Sequence, residues 1–386
     1  MKRIAINGFG RIGRLFTRAF FENKDLYPDM EIVLINAAGS SGAMTPYDVY
    51  YALMYDSNYG NFNRSFSFKP NVAILGYDEN HIIVFGKEIK IIGENDVLKL
   101  PWKEYDIDII VDCSGESVRR KEAEKHLVAG AKKVVVSAPF KKTEEAKEIP
   151  HIVMGVNQGI YNPEVHNIIS NASCTTNALA PMLLPLEEKY GINKGLMTTI
   201  HAFTGDQRLV DAKHKDLRRS RRAGGNIIKT STGAAGTIHL IIPSLRSKIK
   251  KIDGICFRVD TPAGSVIYLT VELKSNPAVE ELVVVYKEYM ENRLRGFMAI
   301  AEDPIVSLDT IGMPFSVLID KDIQCVEDDV AGKKLYGVTG YYDNEYGYAL
   351  RLVDLVAYIV VNMPASVLKL IKTPPVYDPF RQLEEN

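Results

Sequence analysis

Arg3-Ile4-Ala5-Ile6-Asn7 runs directly into Gly8-Phe9-Gly10-Arg11-Ile12-Gly13, and this junction decides the fold. Five residues of apolar strand character meet a G-x-G-x-x-G turn, after which Ile12, Leu15, Phe16, Ala19 and Phe20 recur at helical spacing. In such a strand, turn and helix the first glycine permits the tight turn. The second lets backbone approach a pyrophosphate, the third lets helix pack on strand, and the helix N-terminus attracts the negative charge. A plain turn would use the same glycines, so the context matters. Further apolar runs follow at Ile32 to Ile35, His81 to Phe85, Ile107 to Val111, Val134 to Val136 and Ile152 to Met154, with a helix from Val118 to Ala129 stopped by Gly130. Strands alternating with helices predict an α/β chain opening with a Rossmann-type parallel sheet covered on both faces.

Beyond about residue 173 the texture changes. Met197 to Ile200, Ile255 to Val259 and Val266 to Leu273 read as longer strands, and Val266, Tyr268, Thr270 and Glu272 alternate as in a half-exposed antiparallel sheet. Helices are expected over Ala178 to Tyr190, kinked at Pro181 and Pro185, over Val279 to Met290 and from about Glu345 to Val361. The expected organisation is a dinucleotide-binding domain over 1–173, completed by the helix near 345–361. An α+β catalytic domain with a mainly antiparallel sheet follows over 174–344, then a proline-rich C-terminal extension over 362–386.

The chain's 386 residues are two to three domains' worth. With 47 Lys and Arg against 48 Asp and Glu, the net charge of −1 supplies no global field toward nucleic acid or anionic membrane. Cys113, Cys174, Cys256 and Cys325 are far apart and make no C-x-x-C. Neither a metal site nor a disulfide framework is expected, and a reducing, cytoplasmic setting fits. No run of about 18 apolar residues suggests a membrane span.

Four stretches carry candidate chemistry. Ser173-Cys174-Thr175-Thr176-Asn177 precedes a helical run, placing Cys174 at or near a helix N-terminus that stabilises a thiolate, although a buried inert cysteine would read the same way. His201 ends the strand Met197 to Ile200 and is the candidate base; the spacing alone does not bring it to Cys174. Thr204 to Gly225 lacks periodicity but holds Arg208, Lys213, His214, Lys215, Arg218, Arg219, Arg221 and Arg222, which suits either a phosphate or a solvated, subunit-facing loop. Arg258, inside an apolar strand, calls for an anionic partner. Where the second strand ends, the acid usual for a ribose 2′-hydroxyl is missing from Asn36-Ala37-Ala38-Gly39-Ser40-Ser41. Its absence, with Ser40 and Ser41 nearby, points to NADP or to use of both cofactors; a neutral loop that binds either weakly is the alternative.

NGFGRIGR at 7–14, SNASCTTN at 170–177, HAFTGDQR at 201–208, STGAA at 231–235, TPAGSV at 261–266 and YDNEYGY at 342–348 together resemble phosphorylating glyceraldehyde-3-phosphate dehydrogenase over about residues 1–361. The resemblance implies that Cys174 attacks the aldehyde of glyceraldehyde 3-phosphate and that His201 takes its proton, leaving a thioester for inorganic phosphate to open. Thr204 and Arg258 would hold the substrate phosphate. Ser173, Thr175, Thr232, Gly233 and Arg219 would hold the attacking one. Gly8, Gly10, Arg11, Ile12, Gly13, Asn36 and Ala37 would line the cofactor's adenosine and pyrophosphate end, with Ser114 and Ser137 along the groove and Asn344 on the nicotinamide carboxamide. The resemblance further implies a homotetramer working in glycolysis or gluconeogenesis, with no nucleic acid or membrane partner. Two departures stand out: Ala37 replaces the ribose acid, and Glu94-Asn95-Asp96 is acidic where an arginine often lies beside the adenine. Erythrose-4-phosphate dehydrogenase is an alternative, disfavoured by Thr204 to Arg208. A non-catalytic binding protein on the same fold is another, disfavoured by the retained Cys174 and His201.

Overall fold

The computed structural model describes residues 1–39, 42–65, 74–141, 148–247, 251–329 and 332–361. Ser40, Ser41 and the expected extension 362–386 lie outside the described residues. β1 (Lys2–Asn7), α1 (Arg11–Glu22), β2 (Met30–Asn36) and α2 (Pro46–Met54) open the chain. A short hairpin of β3 (Tyr55–Asp56) and β4 (Gly60–Asn61) precedes β5 (Leu75–Tyr77), β6 (His81–Val84) and β7 (Lys87–Ile92). β8 (Ile109–Asp112), α3 (Arg120–Val128), β9 (Lys133–Val136) and β10 (Ile168–Ser170) complete this half.

The first sheet has the order β10-β9-β8-β1-β2-β7-β6-β5. It is parallel from β10 to β7, with β6 and β5 added antiparallel at one edge. Numbered along the chain, its six parallel strands lie in the order 3-2-1-4-5-6, so the chain reverses direction across the sheet between β1 and β8, where open α/β sheets take their ligands. Ile152–Met154, expected as a strand, is not one. His151 makes a single bridge to Ser170, and the Asn157 side chain then accepts from Val153 N at 2.8 Å and donates to His151 O at 2.9 Å, folding the run into a turn. These apolar residues are buried by packing, and β10 takes the sixth parallel position.

α4 (Cys174–Lys189) leads from the first sheet into the second. It starts four residues before the expected helix because Ser173 caps it, and it runs unbroken through Pro181 and Pro185. The second half continues with β11 (Ile192–Ala202), β12 (Ile228–Ser231), α5 (Ala234–Ile241), β13 (Ile252–Val259), β14 (Ser265–Leu273) and α6 (Val279–Glu291). It ends with β15 (Met298–Ala301), β16 (Val317–Asp320), β17 (Gln324–Glu327), β18 (Lys334–Tyr342) and α7 (Tyr346–Val361). The order is β12-β13-β11-β14-β18-β16-β15, with β17 on β18; only β11–β13 and β15–β16 pair in parallel. Along β14 the outward residues are the alternating set read from the sequence, while Ile267, Leu269, Val271 and Leu273 are buried in one core with Leu179, Met182, Leu183 and Leu186 of α4. Residues 203–227 form neither helix nor strand.

α7 returns to the first half. Ala349, Leu350 and Val353 join Leu15, Phe16 and Ala19 in one core, and Tyr346 OH donates to Glu22 Oε2 at 2.6 Å. No helix among the described residues is long and apolar enough to cross a membrane.

The glycine turn is fixed by contact. Gly8 has φ +92°, and a Cβ there would lie 2.6 Å from the Ser114 nitrogen; one on Gly13 would lie 2.2 Å from the Gly8 carbonyl oxygen. Gly10 has nothing within 4 Å. Gly13→Ala is therefore expected to cost about 1–3 kcal/mol of stability through overpacking, whereas Gly10→Ala should melt like the parent and lose cofactor affinity. Thermal melts beside cofactor titrations check both, and equal melting of all three chains would contradict the packing account.

Candidate active site

The position of Cys174 is set just upstream of α4. Ala172 carries φ +54°, rare for a residue with a side chain, and is held by Ser170 Oγ, which accepts from its N–H at 3.0 Å, and by Tyr348 OH, which donates to its carbonyl at 3.1 Å. Ser173 Oγ then accepts from Thr176 N at 3.1 Å, leaving Cys174 as the first residue of the helix. His201 arrives from the end of β11, with Nε2 at 3.4 Å from Cys174 Sγ. The structure thus joins the two residues that the sequence offered separately.

His201 Nδ1 lies 2.7 Å from the Ala202 carbonyl oxygen, which calls for a hydrogen on that nitrogen, and 2.5 Å from Arg258 Nη1, which calls for a lone pair there; Nε2 is the nitrogen turned to the thiol. Parallel pairing of β11 with β13 sets Arg258 beside His201, and Arg258 Nη1 also donates to the Ala202 carbonyl at 3.0 Å. Burial, helped by this cation, drives His201 down to about 3. Burial pushes the Cys174 thiol up, while Arg258 and the Thr175 hydroxyl draw it back. The resting pair is a thiol facing a neutral imidazole able to receive its proton. Tyr342 packs edge-on against the imidazole at 5.9 Å between centroids, and its hydroxyl lies 3.1 Å from Thr175 Oγ1 and 2.9 Å from Thr199 Oγ1. The motif YDNEYGY contained Tyr342, but nothing in the sequence tied it to β11.

At the other end, β1, β2 and β8 finish side by side. Asn7 donates to Asp112 Oδ2 at 2.8 Å and Asn36 donates to Asn7 Oδ1 at 2.8 Å. Asp112, fully buried, also accepts from Ser114 N and Oγ, Ser117 Oγ and His126 Nε2. Burial alone would raise its pKa, but these donors hold it below the usual value. Asn36 is committed to neighbours as well: it donates to Glu94 O at 2.8 Å and accepts from Glu94 N at 2.9 Å. The Glu94 carboxylate folds back to accept from Asp96 N at 2.7 Å. Ala37 is buried, and its N–H goes to Ile92 O. Ser137 N donates to Asp112 O, and Cys113, beside it, is pushed up to about 12 by burial.

These residues fit a dinucleotide. The first turn of α1, which includes Ile12, has no acidic side chain and unpaired N–H groups, and the space above Gly10 is open. Asn344 is buried, with Oδ1 accepting from Ser265 Oγ at 2.9 Å, and Ser265 Oγ in turn accepts from Ala202 N at 3.1 Å. That orientation leaves the Asn344 amide nitrogen as a donor, and the Ser265 link ties Asn344, just past the end of β18, to the end of β11.

The expected phosphate ligands divide by charge balance. Arg258 has no carboxylate within ion-pair distance among the described residues. Arg219 is paired with Asp206 at 2.5 Å and donates to Thr230 Oγ1 at 2.9 Å. Thr232 Oγ1 and Gly233 stand at the N-terminus of α5, and Thr204 N donates to Gln207 Oε1 at 3.2 Å.

A Rossmann-type sheet joined to a second, mainly antiparallel sheet that carries a Cys–His pair fits a nicotinamide-dependent dehydrogenase. The family model described as the glyceraldehyde 3-phosphate dehydrogenase NAD binding domain matches residues 2–120, and that of its C-terminal domain matches residues 173–344. Glyceraldehyde-3-phosphate dehydrogenase of Geobacillus stearothermophilus is 43% identical over 357 residues, 92% of this chain and 98% of that one. Glyceraldehyde-3-phosphate dehydrogenase 2 of Streptomyces avermitilis is 42% identical over the same length and shares of each chain. Chloroplastic glyceraldehyde-3-phosphate dehydrogenase A of Chlamydomonas reinhardtii is 42% identical over 353 residues, 92% of this chain and 87% of that one. The chain belongs to the glyceraldehyde-3-phosphate dehydrogenase family.

With the thiol raised by burial and drawn back by Arg258, alkylation of Cys174 by iodoacetamide should climb with pH through the alkaline range. Arg258→Ala should slow it at pH 8 by about three- to tenfold. A rate already flat at neutral pH would contradict this electrostatic account.

Proposed function

We propose that this enzyme catalyses the reversible, phosphorylating oxidation of glyceraldehyde 3-phosphate to 1,3-bisphosphoglycerate through a thioester on Cys174. The observation that carries the reading is the 3.4 Å approach of Cys174 Sγ to His201 Nε2. When bound, the oxidised nicotinamide supplies the hydride acceptor, held by the 8–13 turn and Asn344. Cys174 Sγ adds to the aldehyde carbon while its proton passes through His201 Nε2 to the aldehyde oxygen. His201 then draws that hydroxyl proton as the carbon–hydrogen bond breaks, leaving the thioester. Inorganic phosphate adds to the thioester carbon, the carbon–sulfur bond breaks, and the sulfur recovers a proton from His201. The Cys174 backbone N–H, free at the start of α4, and the protonated imidazole face the developing oxyanion.

The substrate phosphate is assigned to Thr204 and Arg258, the cation left without a carboxylate. The attacking phosphate is assigned to Ser173, Thr175, Thr232, Gly233 and Arg219, the last by exchanging Asp206 for the anion. Residues 1–173 with α7 form the dinucleotide-binding domain in this reading, and 174–344 the catalytic domain. Ala37, which puts no carboxylate against a 2′-phosphate, supports use of NADP, alone or beside NAD. A homotetramer is supported by uncovered apolar residues on the outer face of β11 and β14, Leu196, Ile200 and Tyr268, and by exposed Leu209, Val210 and Leu217 in the basic segment. A thiol that must stay reduced suits a cytoplasmic setting.

Cys174→Ser should abolish glyceraldehyde 3-phosphate oxidation while leaving cofactor affinity within about twofold; retained turnover would refute the reading. Initial rates at matched NADP and NAD concentrations should favour NADP, and Ala37→Asp should lower kcat/KM for NADP by at least about tenfold through like-charge repulsion. A strong NAD preference in the parent chain would overturn the cofactor assignment alone.

A further inference from the structure

Arg11 opens α1, at the helix end that the cofactor's pyrophosphate would approach, yet its guanidinium is already occupied. Nε donates to Glu345 Oε1 at 3.0 Å and Nη2 to Glu345 Oε2 at 2.6 Å, a two-pronged pair. Nη1 pairs with Asp56 Oδ2, and Nη2 reaches Asp56 Oδ1 at 3.3 Å. Both carboxylates are largely shielded, with side chains 4% and 14% exposed. Each of its three guanidinium nitrogens therefore already faces a protein carboxylate.

The same contacts lead to Asn344. Asn58 N and Tyr59 N donate to Asp56 Oδ1 at 2.9 and 3.2 Å, and Asn58 Nδ2 donates to Glu345 Oε2 at 3.2 Å. Tyr59 OH donates to Asp343, which also receives Gly312 N, Glu345 N and Tyr346 N at 2.8, 2.8 and 2.9 Å. Asn344 therefore stands between two carboxylates, one tied to Arg11 and the other to Tyr59 of the same cluster.

Resting on the dehydrogenase reading above, we infer that Arg11 is a positioning residue that locks the pyrophosphate turn to the nicotinamide-holding Asn344 through Glu345 and Asp56, so that the two ends of the cofactor site are set as one unit. One consequence follows: Arg11 fixes the loop carrying Asn344 relative to α1, so its loss should misplace the nicotinamide without touching the adenosine side.

The test compares NAD with ADP-ribose, which has the same pyrophosphate and lacks the nicotinamide, by calorimetric titration of the full chain, together with steady-state kinetics. For Arg11→Met the expected result is a tenfold or greater loss of NAD affinity, ADP-ribose affinity within twofold of the parent, and a fall in kcat with KM for glyceraldehyde 3-phosphate unchanged. Glu345→Gln should give the same pattern more weakly. Adding it to Arg11→Met should cost less than the sum of the two. If Arg11→Met does not fold, the neutral, near-isosteric triple variant Arg11→Met, Asp56→Asn, Glu345→Gln removes the buried unpaired charge and should show the same selective loss. Equal loss for NAD and ADP-ribose would make Arg11 a direct phosphate ligand, and no loss for either would make the pair purely structural; both overturn the inference. A parent chain that binds neither molecule and turns over neither NAD nor NADP would instead overturn the dehydrogenase reading itself, and this inference with it.

Discussion

A sulfur and an imidazole nitrogen 3.4 Å apart are the constraint on which the site depends, because the segments that set them come from different sheets. The sulfur is placed by the segment leaving the first sheet: Ser170 and Tyr348 hold Ala172 in a left-handed conformation, and Ser173 caps the helix on the next step. Tyr348 belongs to α7, so the last described helix helps place Cys174. The imidazole is placed by the second sheet, where β11 lies between β13 and β14. Any shift of one sheet against the other changes this single distance first.

Burial is what holds both Cys174 and His201 in their neutral forms. Arg258 stands beside His201 because β11 and β13 run parallel in register, and its charge adds to burial in keeping the imidazole unprotonated. Tyr342, anchored on Thr175 and Thr199, braces the ring edge-on. Ser265 then links the same strand end to Asn344, so His201 and the proposed nicotinamide holder share one hydrogen-bonded support.

Much of this was legible in the sequence where a local signal existed. The strand, glycine turn and first helix follow from residues 3–20 alone, and the alternation of Val266, Tyr268, Thr270 and Glu272 marked the outward face of β14. Cys174 and His201 stood out by position, but their meeting is a tertiary fact with no periodicity to announce it. Ile152–Met154 misled because an apolar run looks alike whether it pairs or merely packs; the deciding groups, the Asn157 amide and its bonds to His151 and Val153, are outside the run. The resemblance implied that Arg11 and Asn36 line the cofactor; their side chains face Glu345, Asp56, Asn7 and Glu94, partners between 29 and 334 residues distant for which spacing gives no signal. Tyr342, Thr199, Ser265 and Asp112 gained roles only through such distant contacts.

The most direct test of the central claim is to quench the enzyme during turnover with glyceraldehyde 3-phosphate and oxidised cofactor in phosphate-free buffer, and to map acylation by peptide mass spectrometry. The account predicts one phosphoglyceroyl adduct, on Cys174, that disappears when inorganic phosphate is added. Turnover without an adduct on Cys174, or an adduct on Cys113, Cys256 or Cys325 instead, would contradict it.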